Sequence, residues 1–202
     1  MYLYTGDPPN RHDAKTRTFG PFLGGISAQD VSFSRDGQWV AYVSYPDGKL
    51  WRSSPDGTEK AQLSSPPVYA MLPRWSPDGK EILFYGQVQG KPARIYEVPA
   101  VGGAPQELMP NQSGQQADPS WSPDGESLAF GEVANTGPGA IRILDMKTHQ
   151  ITTLPDSQGL FSPRWSPGGR YLLAMPMDSS ALELFPSGSL LREWFVVNLP
   201  DM

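Results

Sequence analysis

Asp30, Arg74, Asp118 and Arg164 lie beside or just before a set of recurring aromatics, in QDVSF, LPRWS, ADPSW and SPRWS. Two acids and two bases at the mouth of a channel can hold a polar ligand or a peptide terminus. Set between neighbouring sheets, the same charges pair with one another instead. Nucleophilic catalysis asks for something else, a Ser or Cys with a base and an acid to orient it. The chain has two histidines and no cysteine. His12 falls in a charged N-terminal loop and His149 in the turn KTHQ, and both read as solvated turn residues. Gly125-Glu126-Ser127-Leu128-Ala129 approaches a nucleophile elbow but lacks the final Gly. The carboxylates Asp36, Asp78 and Asp124 recur at a fixed period, which assigns each to its own turn rather than to an acid–base pair. YPDGK and SSPDGT lack the alternating oxygen ligands of a calcium loop. No catalytic residue, metal site or cofactor is expected.

The elements that position these residues come from a repeat. SFSRDGQWVAYVS, RWSPDGKEILFYG, SWSPDGESLAFGE and RWSPGGRYLLAMP are four copies of one cassette. Their leading aromatics, Phe33, Trp75, Trp121 and Trp165, are spaced by 42, 46 and 44 residues. A period in the low forties is the size of one four-stranded propeller blade. Pro77 and Pro123 preset φ for a tight turn, Asp78 and Asp124 bond nearby backbone, and Gly79 and Gly125 take positive φ without strain. A hairpin results. The runs after each Gly, such as Val40-Ala41-Tyr42 and Ile82-Leu83-Phe84, are apolar without alternation, the mark of a strand buried on both faces. Leu50, Ile95 and Ile141 open a third strand, and Leu63, Leu108 and Leu154, each thirteen residues on, close a fourth. Trp75, Trp121 and Trp165 therefore read as inter-blade core, leaving Trp51 and Trp194 as the aromatics available for exposed contacts.

Composition agrees. The chain has 202 residues with 21 glycines and 22 prolines, too many for long helices. Aromatics at 11% demand a core, and a net charge of −5 argues against a phosphate-binding, nucleic-acid surface. No apolar run reaches membrane-spanning length.

The repeats resemble those of TolB-type β-propellers, whose signature is an aromatic-Ser-Pro-Asp-Gly hairpin followed by an apolar strand. Similar propellers occur in prolyl oligopeptidase-type enzymes and in some bacterial winged-helix regulators. The expected fold is all-β: one β-propeller over 1–202, with blades at about 29–64, 71–109, 117–154 and 161–200 and a partial blade at 1–24. In that partial blade Tyr2-Leu3-Tyr4 and Thr18–Phe22 read as outer strands lacking their inner pair. A six-bladed ring at about 44 residues per blade needs roughly 264, so the chain reads as part of one. Arg35 departs from the motif, as does Gly168, which removes the Asp and should loosen the fourth turn. Trp194–Val197 reads as a last outer strand out of register.

The expected function is a non-catalytic module of a larger bacterial protein, binding a protein or a small polar ligand. Asp30, Arg74, Asp118, Arg164 and the loops VQGKPA and EVANTGPGA are its candidate contacts. Self-association through uncovered blade edges is a further expectation. The alternative is the accessory propeller of a prolyl oligopeptidase-type serine hydrolase whose catalytic domain lies elsewhere. The TolB resemblance implies a periplasmic address, although MYLYTGDPPNRHDAKTR lacks the basic-then-apolar order of an export signal.

Overall fold

A computed structural model describes residues 10–13, 15–23, 26–133, 139–176 and 195–198, almost wholly as strands and turns. The chain divides into two compact units, Met1–Pro110 and Asn111–Met202. Among the described residues, no helix is long and apolar enough to cross a membrane.

The first unit opens with a two-stranded antiparallel sheet, β1 (Asn10–Asp13) and β2 (Thr18–Pro21). Residues 18–21 thus pair with 10–13, so His12 belongs to a strand rather than to the expected loop. Tyr2-Leu3-Tyr4 lies outside the described residues. Two four-stranded sheets follow, each an antiparallel meander in chain order. One holds β3 (Ala28–Phe33), β4 (Val40–Ser44), β5 (Leu50–Ser53) and β6 (Lys60–Gln62). The other holds β7 (Tyr69–Trp75), β8 (Glu81–Gln87), β9 (Arg94–Pro99) and β10 (Gln106–Glu107).

Strand β4 shows why the apolar runs do not alternate. Val40 and Tyr42 point to one face, against Phe22, Leu23 and Ala28. Ala41 and Val43 point to the other, into a core with Leu50, Ala70, Trp75, Ile82 and Phe84. A strand packed on both faces has no position for a polar side chain. Trp75 also donates its indole N–H to the Ser32 carbonyl at 3.1 Å, tying the second sheet to the first strand of the one before.

The second unit repeats the plan. Its first sheet comprises β11 (Gln115–Trp121), β12 (Ser127–Val133), β13 (Ala140–Asp145) and β14 (Ile151–Thr153). Its second comprises β15 (Leu160–Trp165), β16 (Tyr171–Pro176) and β17 (Phe195–Asn198). Ala129, Ile141, Leu154, Leu160, Leu172 and Ala174 form the core, and the Trp165 indole donates to the Ser120 carbonyl at 3.0 Å. The tail strand β17 pairs with β16 from Tyr171↔Asn198 to Ala174↔Phe195, so it is the third and, among the described residues, the outermost strand of its sheet. Trp194 lies outside the described residues.

The thirteen-residue offset proves to be a hydrogen bond. The amides of Leu63, Leu108 and Leu154 donate to the carbonyls of Leu50, Ile95 and Ile141 at 2.8–2.9 Å, one residue beyond each fourth strand.

Each hairpin turn is organised by its serine, a job that the motif's conspicuous Pro, Asp and Gly conceal. Ser34, Ser76, Ser122 and Ser166 bond their amides to the carbonyl five residues on and accept the N–H of Gly37, Gly79, Gly125 and Gly169, at 2.9–3.0 Å. The hydroxyl accepts the amide five residues on, at 2.9–3.1 Å. In three copies it donates to Asp36, Asp78 or Asp124 at 2.5–2.7 Å. These carboxylates accept a further amide from Gln38, Lys80 or Glu126. Ser54-Pro55-Asp56-Gly57, between β5 and β6, is a fifth turn of this construction. The fourth cassette keeps every backbone bond despite Gly168, and what its turn lacks is the carboxylate.

Gly168 lies outside the left-handed region, and a Cβ there meets nothing within 4 Å. Gly168→Asp should restore the acceptor for the Ser166 hydroxyl and restrict the unfolded chain. The expected gain is about 0.5–1.5 kcal/mol, read as a higher urea midpoint at unchanged m-value.

Candidate functional site

The candidate charges all sit on the first strand of a sheet, and a bulge sets their geometry. The β7–β8 register slips between Met71 and Arg74, β11–β12 between Ala117 and Ser120, and β15–β16 between Phe161 and Arg164. Three residues before each aromatic, Leu72, Asp118 and Ser162 take φ of 50°, 48° and 55°. Asp visits this left-handed region readily, whereas Leu and Ser are uncommon there and cost of order 1 kcal/mol each. The bulge turns that residue out of the ladder and re-aims its neighbours. In the first sheet the slip falls between Ala28 and Asp30.

In the first unit, Asp30 accepts the amide N–H of Leu72 on its Oδ2 at 3.1 Å. A carboxylate of β3 thus caps the left-handed residue of β7. Arg74 donates from Nη1 to the Pro73 carbonyl at 3.0 Å.

In the second unit the corresponding residues come together. Nη2 of Arg164 donates to both carboxylate oxygens of Asp118, at 2.9 and 2.8 Å. Ser162 donates its hydroxyl to the same Oδ2 at 2.5 Å. Arg164 also donates from Nη1 to the Pro163 carbonyl at 2.7 Å. Asp118 is 9% exposed, whereas a third of the Arg164 side chain faces solvent. The arrangement is a buried anion holding a half-exposed cation in one orientation. Sequence reasoning nominated the two charges but missed Ser162, whose position carries no cassette residue. The serines of the turns were legible in principle, since Ser follows the aromatic in all four copies.

The recurring carboxylates are committed to structure. The donated serine hydroxyl is the main cause holding Asp36, Asp78 and Asp124 below the ordinary carboxylate value, helped by the backbone amide two residues on. Asp56, with Ser54 and both the amide and hydroxyl of Thr58, is pulled down to about 2. His149 occupies an exposed turn at φ 58°. Trp51, expected to serve exposed contacts, is half-buried, stacked on Tyr42 at 6.5 Å, and donates to the Ser44 hydroxyl. Among the described residues, no group of three or more His, Cys, Asp or Glu is placed to hold a metal ion.

Four-stranded antiparallel meanders stacked through a repeated aromatic hairpin define a β-propeller. Residues 27–184 match the TolB beta propeller domain, and the chain belongs to that family. Its fold is similar to that of TolB from Agrobacterium tumefaciens, with a TM-score of 0.72 at 20% identity, covering 96% of this chain and 66% of that one. An oligogalacturonate lyase in complex with manganese is also similar, with a TM-score of 0.61 at 17% identity over 84% of this chain and 50% of its own. In sequence, the chain is 41% identical over 112 residues to YuxL, an uncharacterized peptidase of Bacillus subtilis (strain 168). That match takes in 51% of this chain but 17% of YuxL.

Asp118→Ala should leave the Arg164 guanidinium and the Ser162 hydroxyl without their shared acceptor, costing about 2 kcal/mol in chemical denaturation. For Asp56, the folded carboxyl near 2 lies below its ordinary 3.8. Its contribution to stability is therefore complete above about pH 4 and is lost as pH falls toward 2. Ser54→Ala should move the Asp56 titration back up toward 3.8, which carboxylate NMR reads directly.

Proposed function

We propose that this chain is a non-catalytic propeller module of a larger bacterial protein. It recognises a partner or small polar ligand through charges carried on the first strands of its blades. The observation that carries this reading is Arg164, pinned by a buried carboxylate yet open to solvent over a third of its side chain. A guanidinium fixed in this way has already lost rotamer freedom, so an incoming anionic group, such as a peptide terminus, costs less to bind. The recurrent Ser and Asp pairs support the same reading, because their hydroxyls and carboxylates are engaged in holding turns. Within the second unit Asp118 is the positioning group of this site. Asp30 and Arg74 are the corresponding charges of the first unit and are proposed as contacts of that unit alone.

A second reading draws on the likeness to the YuxL peptidase. There the chain is the accessory propeller of a serine hydrolase and shapes access to a catalytic domain encoded elsewhere. The lyase likeness, at 17% identity, is one of fold alone.

Titration of the chain with acetylated tripeptides bearing a free C-terminal carboxylate, followed by arginine-selective NMR, tests the first reading. Saturable shifts of the Arg164 side chain are expected, absent with C-terminally amidated peptides and abolished by Arg164→Gln. Failure of both peptide sets to shift Arg164 overturns it. Labelling of the longer parent protein by a fluorophosphonate, with peptide hydrolysis dependent on the labelled serine, would establish the hydrolase reading instead.

A further inference from the structure

Sheet β1–β2 has two strands among the described residues, where the next two sheets of its unit have four. Its place is that of strands three and four. Six residues separate β2 from β3, as six separate β6 from β7. Phe22 follows β2 directly and is 7% exposed, just as Leu63 follows β6 at 2%. Strand β1 therefore stands where a third strand stands, with the edge that would meet a second strand unpaired among the described residues.

The adjoining face tells the same story. Val31 pairs across from Tyr42, and Phe33 from Val40, so all four side chains share one face of the sheet. Its outer half, Val40 and Tyr42, is covered by Phe22 and Leu23 and is no more than 2% exposed. Its inner half is open, with Val31 38% and Phe33 52% exposed, although the Phe33 ring touches Phe22 at 5.5 Å. In the next sheet the matching residues are Pro73, which is buried, and Trp75, at 8%. What covers Trp75 is the first two strands of the preceding blade, through Ala41, Val43 and the Ser32 carbonyl.

We propose that the β1 edge and the Val31–Phe33 face bind an antiparallel β-hairpin of the aromatic-Ser-Pro-Asp-Gly type, which supplies the two inner strands and completes this blade. The hairpin's second strand pairs its backbone with Asn10–Asp13, and its apolar side chains lie on Val31 and Phe33. A second copy of the chain is the wrong occupant. Each of its four hairpins, β3–β4, β7–β8, β11–β12 and β15–β16, already pairs with a third strand and would have to leave its own sheet. This inference does not depend on the ligand reading above.

The test uses Phe33→Trp as a reporter and, as probe, a synthetic peptide with the sequence of residues 69–87, the β7–β8 hairpin. Saturable one-to-one binding should shift the new indole's emission to the blue and shield it from iodide. Val31→Asp in the same background should weaken binding at least ~10-fold, while Val101→Asp, at an 83% exposed site, should leave it unchanged. Because the free peptide need not hold its hairpin, a second protein carries the same segment fused ahead of Met1, with residues 1–9 as the connection. It should show the shifted emission without added peptide. An unshifted indole with both the free and the tethered hairpin overturns the proposal. So does a concentration-dependent dimer of the unmodified chain that Phe33→Asp dissolves, since a second copy would then cover the face.

Discussion

The serine hydroxyl that follows each cassette aromatic is the point from which the rest of a blade is specified. It accepts one backbone amide and, in three cassettes, donates to a carboxylate that accepts another. That closes the turn between the first and second strands with a defined register. Once the register is set, the alternation of side chains follows, and with it the division of β4 into two buried faces. A slip of one residue would exchange Val40 and Tyr42 for Ala41 and Val43, and each core would receive side chains of the wrong volume. Gly168 shows which part is dispensable: the hydroxyl and backbone bonds persist there without the acid.

The blade architecture was legible in the residues because it is local and repeated. The cassette, its spacing and the thirteen-residue leucine offset each correspond to a hydrogen-bonded element. What escaped was non-local or unrepeated. His12 and its neighbours carry no apolar pattern, yet they form β1, because pairing with 18–21 satisfies the backbone whatever the side chains are. Strand β17 sits far out of register in the chain yet occupies third place in its sheet, since an open strand edge is satisfied by any segment long enough to reach it.

The candidate site was half legible. Charges beside the aromatics stood out because they broke the repeat, but whether they face a ligand or each other is decided by the bulge, which no residue type announces. Asp118 finds Arg164 and Ser162, whereas Asp30, at the matching position, caps a backbone amide. The same kind of carboxylate in the same place does two jobs, according to what the next blade presents. Family membership carries the argument no further, because the relatives include a TolB and a lyase of like fold and a peptidase of like sequence.

The left-handed residue three before each of the tryptophans Trp75, Trp121 and Trp165 is Leu in one blade, Asp in another and Ser in a third, all within a few degrees of one φ. The backbone there is dictated by the slipped ladder around it, which holds even Leu72 and Ser162 in the left-handed region despite their cost. Shape and chemistry are thereby uncoupled at a single position per blade. Within this one chain the same backbone shape carries an alkyl group, a carboxylate and a hydroxyl, so blades differ there in chemistry without differing in fold.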